Sequence, residues 1–280
     1  NFSKLNESEY SQLETSLGDV NEEIAQIVRD AIQNASNKNK DKTSEGYSSK
    51  KYDKQRFNHF RKLQLSVKQN LELLRVIKSY KKITSASIWD VDQINTFKNY
   101  IDIFKIGSGD IHNFQIIKKI LKTKKPLIIS TGLCSLKDIV TTVRFIKGTD
   151  KTYITNKKLA ILHCNTAYPT PFEDSNLKTI SVLKDKFNLT IGYSDHTIGD
   201  KILFYSYIAG AEIIEKHFSN NIKKKTFRDH AISLNKKSVD NFLNNLSITS
   251  KCFSVKKSLS IIEKKQKNLT SFRRSIYAKR

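Results

Sequence analysis

From residue 83 onward the chain alternates short apolar runs with helix-length amphipathic stretches. The runs at 83–88, 103–107, 126–131, 159–164, 189–192 and 211–215 are predicted as strands. The stretches near 91–98, 112–122, 135–147, 175–187 and 200–208 are predicted as helices. No hairpin turn joins consecutive runs, so the pattern predicts βαβ units and a parallel sheet. Six such units with unbroken apolar strands predict an α/β fold of the (β/α)8 TIM-barrel type, incomplete at its N-terminus. A doubly wound open sheet is the alternative, weakened because no Gly-x-Gly-x-x-Gly turn follows a first strand.

The first 82 residues read differently. Ile24, Ile27, Val28 and Ala31 share one face of a predicted helix around Val20–Ile32. A run of Asn, Lys, Ser, Asp and Gly from Asn34 to Lys51 follows, with the composition of a disordered linker or surface insertion. Residues 56–80 return to amphipathic helical spacing, with Leu63, Leu65, Leu71, Leu74 and Ile77 placed for burial. The expected organisation is a polar N-terminal segment over 1–55, a partial barrel over 56–250, and a C-terminal helix and linker over 251–280.

Composition narrows the class. A length of 280 residues suits one barrel-sized domain, and 15 Phe with 11 Tyr can fill its core. The net charge of +23 would suit nucleic acid, but the lysines are scattered through every segment with no aromatic-interleaved stripe. A solvated basic surface is the expectation, and a nucleic-acid partner is not. No apolar run is long enough to span a membrane. Cys134, Cys164 and Cys252 are odd in number and in no metal spacing, which predicts reduced thiols and a cytoplasmic protein. No basic-then-apolar leader is present. The chain contains no Met and starts at Asn1, so a preceding segment is expected.

In parallel α/β folds the reactive groups gather beyond the carboxyl ends of the strands. Five consecutive predicted strands end in polar clusters here. They are Lys105-Ile106-Gly107-Ser108-Gly109-Asp110, Ser130-Thr131-Gly132, His163-Cys164-Asn165-Thr166-Ala167-Tyr168, Gly192-Tyr193-Ser194-Asp195-His196 and Glu215-Lys216-His217-Phe218. Lys105 supplies a point charge, Ser108 and Ser130 supply hydroxyls, and the glycines let backbone N–H groups approach an anion. His196 and His217 end neighbouring units, and two neutral imidazoles at one mouth are good ligands for a divalent metal.

These stretches resemble the N-acetylneuraminate (sialic acid) synthase family. The resemblance is carried by Phe104–Gly132, Leu162–Asp174 and Ile191–Phe218. It continues in Asp229-His230-Ala231-Ile232-Ser233-Leu234 and in the arginine pair of Arg273-Arg274-Ser275-Ile276-Tyr277. It runs from about Lys62 to Arg280, with motifs in family order. It implies a carbon–carbon bond-forming transferase that condenses phosphoenolpyruvate with N-acetylmannosamine or a related amino sugar, releasing phosphate. By the resemblance, Lys105, Ser108, Ser130 and Ser194 hold phosphoenolpyruvate, Tyr168 is a site tyrosine, and Asp229 contacts the sugar. His196 and His217 match the ligands of a divalent metal, Mn or Mg. Ser87 stands where many relatives have a threonine, and Thr166 where some have Asn or Ser.

The departures are equally specific. The family's first strand, with an Ala-Glu-Ile-Gly-type motif, and its second, with a Lys-Phe-Gln-type motif, have no match in residues 1–82. The small antifreeze-like domain that follows the barrel in relatives, and that reaches a partner's active site with an arginine there, has no match either; a homodimer is expected of the complete protein. A fragment and a degenerate, non-catalytic paralogue acting as a binding protein both account for this. Within enzymes, legionaminic or pseudaminic acid synthesis and use of a sugar 6-phosphate stay open as alternatives.

Overall fold

The computed structural model describes residues 61, 64–220, 228–253 and 260–266. The predicted helix at Val20–Ile32, the polar run from Asn34 to Lys51 and the arginine pair lie outside them. The chain divides into two compact units, residues 1–242 and 243–280. The second holds the last turns of a helix that begins at Lys236, and a short helix at Ile261–Gln266.

The first unit is built on six strands in the order β1-β2-β3-β4-β5-β6, every neighbouring pair parallel. They are β1 (Ser85–Ser87), β2 (Ile103–Ile106), β3 (Leu127–Ser130), β4 (Leu159–Cys164), β5 (Thr190–Asp195) and β6 (Ile214–Lys216). The sheet curls as a half-barrel with helices against it. Beyond β6, Phe218 makes one further parallel bridge to Leu234. Among the described residues β1 and β6 are the sheet edges.

The crossovers explain themselves locally. Helix α1 (Val67–Ser79) opens on a capping box in which Ser66 and Gln69 satisfy each other's backbone N–H groups. After β1 comes α2 (Ile94–Phe97), three residues later than the spacing predicted. The Asp90 carboxylate accepts from Asp92 N at 2.9 Å and delays the helix with a turn. Helix α3 (Phe114–Leu121) is capped by Asn113 and buries Ile116, Ile117, Ile120 and Leu121 against the sheet. Helix α4 (Leu136–Thr149) repeats the capping box with Ser135 and Asp138, and the short α5 (Thr152–Thr155) follows. Helix α6 (Thr179–Phe187) ends on Asn188 in the left-handed region, and α7 (Lys201–Ile208) leads into β6.

The central strands β3 to β5 are buried on both faces, which is why they read as continuous apolar runs, whereas β1 and β6 are partly exposed. β4 is buried at five of its six positions. Two strands depart from expectation. β5 runs on to Asp195 rather than stopping at 192, and β6 starts at Ile214 rather than 211. Polar residues continue the ladder there because each has a partner on the facing strand.

Gly192 in β5 is one position where only glycine fits. A Cβ there would collide with the Ile213 carbonyl oxygen and with Leu162. Gly192→Ala should therefore cost about 1–3 kcal/mol or more from overpacking, whereas Gly107→Ala, which meets nothing within 4 Å, should be near neutral. Thermal melts of the two variants check this.

Asp102 ties α1, β1 and β2 together. Its carboxylate accepts from Thr84 N at 2.9 Å and Thr84 Oγ1 at 2.8 Å, and lies 3.1 Å from Lys78 Nζ. The Thr84 backbone N–H, with the Thr84 hydroxyl and Lys78, holds its carboxyl down to about 2. A folded-state value below the unfolded one of roughly 3.9 stabilises the fold above that pH, and the contribution fades as pH falls towards 2. Asp102→Asn should thus melt earlier than the parent at neutral pH, and the gap should close between about pH 4 and pH 2. Parallel melts across that window show it.

Candidate active site

The carboxyl ends of β2 to β6 open into one cleft of about 750 Å³. Lys105, Ser108, Ser130, Thr166, Tyr168, Ser194, His196 and His217 all line it, together with Gly107 and Gly109. Ser87 and Asp229 do not. Ser87 is exposed at the end of β1, paired in register with Lys105. Asp229 is half-buried on α8 (Arg228–Ala231), and its charge acts on His217.

Each hydroxyl has a distinct state. Ser130 Oγ is buried and makes no hydrogen bond among the described residues, a costly arrangement unless something else supplies a partner. Ser108 Oγ accepts from Gly132 N at 2.9 Å and also interacts with the Cys164 thiol. Gly132 permits this packing, because a Cβ there would meet Thr166 Cγ2 at 2.5 Å and Ser108 Oγ at 3.0 Å. Ser194 Oγ donates to Glu215 Oε1 at 2.7 Å, and Lys105 Nζ lies 3.1 Å from the same oxygen.

The imidazoles of His196 and His217 stand 5.4 Å apart, centroid to centroid. Tyr168 stacks on His196 at 4.0 Å and meets His217 edge-on at 5.9 Å. Burial pushes both histidines below their ordinary value, and for His196 the neighbouring His217 adds to the effect. Both are therefore neutral at pH 7. His196 Nδ1 donates to the Asn165 carbonyl, which leaves the Nε2 lone pair available. Among the described residues no group of three or more His, Cys, Asp or Glu side chains converges as a closed metal cage. The donor set fits an open site, two imidazoles with the remaining positions left to water and substrate oxygen, rather than structural zinc.

Sequence reasoning missed two features. Glu215 holds Lys105 and Ser194 at one oxygen, so the cationic strand end carries an internal counter-ion. Asp195 and Lys216 form a buried ion pair between the same two strands, and Lys216 also borders the cleft. The available signal was the adjacency Ser194-Asp195-His196 and Glu215-Lys216-His217, in which site and partner residues alternate. Trp89 and Leu133 also line the cleft, both largely exposed at its mouth.

A parallel half-barrel whose strand ends gather lysine, hydroxyls and paired imidazoles places the chain among the barrel-type α/β proteins with a polar cleft at the carboxyl face. The chain belongs to the NeuB family, which matches residues 26–258. That match begins well ahead of the Lys62 boundary visible in the motifs. The chain is 32% identical to the N,N'-diacetyllegionaminic acid synthase of Campylobacter jejuni, covering 81% of this chain and 67% of that one. It is 34% identical to the N-acetylneuraminate-9-phosphate synthase of Drosophila melanogaster, covering 63% of this chain and 46% of that one. The crystal structure of N-acetylneuraminic acid (sialic acid) synthetase from Leptospira borgpetersenii, in complex with citrate, superposes with a TM-score of 0.69. The two share 27% identity over 79% of this chain and 76% of that one. The chain spans about two thirds or less of the length of the curated relatives it matches. The Campylobacter and Drosophila relatives are synthases by name. Among the described residues no helix is long and apolar enough to cross a membrane.

Proposed function

We propose that the protein is a sialic-acid-type synthase core that joins phosphoenolpyruvate to an N-acetylated amino sugar such as N-acetylmannosamine, releasing phosphate. The observation that carries this reading is the buried, unpartnered Ser130 hydroxyl beside Lys105 and Ser108 in a cleft that also holds the imidazole pair. A buried donor without an acceptor fits a site prepared for an anion.

In the reaction, C3 of phosphoenolpyruvate bonds to the sugar aldehyde carbon and the aldehyde oxygen gains a proton. Water adds at C2, and the C2–O bond to phosphate breaks. Lys105, Ser108 and Ser130 seat the anionic substrate, with Ser194 orienting towards the same region. Glu215 neutralises Lys105 before the substrate arrives and keeps Ser194 and Lys105 aligned. Holding the reacting atoms in line removes much of the entropic cost of a two-substrate reaction. Fixed donors around the leaving phosphate stabilise the charge that develops there. His196 and His217 would hold a divalent cation, Mn²⁺ or Mg²⁺, which supplies Lewis-acid polarisation of the aldehyde. The Tyr168 ring packs against both imidazoles and limits their rotation. Asp229, on the segment after β6, carries the proposed sugar contact.

Lys105→Ala should weaken phosphoenolpyruvate binding by about 1.5–3 kcal/mol, the worth of a hydrogen bond to a charged group, while the fold stays intact. Calorimetric titration of the full chain reads the change, and an unaltered affinity sinks the assignment. His196→Ala and His217→Ala should each abolish tight Mn²⁺ binding, with the double variant scarcely worse, because the two serve one function. Either variant binding Mn²⁺ like the parent marks that histidine as a packed strand-end residue.

A further inference from the structure

β6 is only three residues long and lies at the sheet edge, yet it presents Glu215 and His217 to the cleft. Backbone bonds fix its flanks, from Tyr193 N to the Ile213 carbonyl and from Leu234 N to the His217 carbonyl. β5 and β6 meet in register as Ser194↔Glu215 and Asp195↔Lys216, with His196 and His217 immediately beyond. Side chains alternate along each strand, so the middle rung is set apart from its neighbours: Asp195 lies outside the cleft lining, and Lys216 borders it. The middle rung is the ion pair, with Lys216 Nζ 2.5 Å from Asp195 Oδ2. Asp195 is fully buried and the Lys216 side chain is 8% exposed. Lys216 Nζ also donates to the Thr197 carbonyl, while Asp195 accepts from Thr197 N and Oγ1, both at 3.1 Å. Every strong partner of the pair therefore lies within the two strand ends that carry the site residues.

We propose that Asp195 and Lys216 are positioning residues that clamp β6 onto β5 and so set the separation of His196 and His217. The proposal rests on reading those imidazoles as the metal-holding pair of the synthase site. Buried ion pairs are weak sources of stability compared with well-packed apolar residues, so selection for stability alone gives no reason for one here. They do fix register, because the directional bonds are satisfied in one alignment only. A slip or twist of β6 would move Glu215 off Lys105 and Ser194, and His217 away from His196, together.

The decisive variant is the double substitution Asp195→Leu with Lys216→Met, which removes the pair and leaves no lone buried charge. In the full chain it should fold, as judged by circular dichroism and a cooperative melt. Its His196 and His217 ring-proton resonances should shift and broaden, while the signals of His112, His163 and His230 stay in place. Its Mn²⁺ affinity should fall ~10-fold or more, the usual cost of losing an outer-shell support. A folded double variant with unchanged histidine signals and unchanged Mn²⁺ affinity overturns the proposal. If that variant does not fold, Asp195→Glu decides, since it keeps both charges but lengthens one stem. Displaced His196 and His217 signals support the clamp, and parental ones overturn it. Should the parent itself take up no Mn²⁺, the metal reading fails, and the histidine resonances alone judge the positioning role.

Discussion

The structure depends on the two-residue alternation of a parallel ladder. Each strand sends every second side chain to the cleft side and the others to the helices, so a polar triplet at a strand end cannot face one way only. On β5 the triplet is Ser194, Asp195, His196, and on β6 it is Glu215, Lys216, His217. The cleft receives the outer members, while the inner members, Asp195 fully buried and Lys216 bordering the cleft, need partners of their own. They satisfy each other. A single in-register pairing thus yields two site rungs and one buried ion pair.

The same constraint shapes the electrostatics of the cleft. Lys105 would be an unpaired cation beside an apolar sheet were it not for Glu215, which reaches it from the far edge of the site. Ser194 donates to the same oxygen, so cation, hydroxyl and carboxylate form one unit. Ser130 lacks any such partner. The contrast between satisfied and unsatisfied donors is what gives the cleft its direction, with anion-seeking groups towards β2 and β3 and neutral imidazoles over β5 and β6. Burial pushes those imidazoles towards the neutral form, and the bond from His196 Nδ1 to the Asn165 carbonyl leaves Nε2 with the lone pair. The chain carries this arrangement as a member of the NeuB family.

The sequence by itself determined the strand–helix alternation, the parallel sheet and the set of strand ends where the chemistry gathers. Those features depend on apolar spacing and on caps such as Ser66/Gln69 and Ser135/Asp138, which act within a few residues of chain. Eight of the ten expected site residues line one cleft for the same reason, since a strand end fixes position regardless of what lies across from it. Tertiary structure decided the rest. Tyr193 to Asp195 look like loop in sequence, because polar residues end a strand unless a neighbour pairs with them, and that neighbour is 21 residues away for both Ser194 and Asp195. Ser87, on β1, and Asp229, on α8, fall outside the cleft lining. Glu215 as counter-ion and Asp195–Lys216 as a clamp exist only once two strands lie side by side, since a charge has no partner until the fold brings one within about 3 Å.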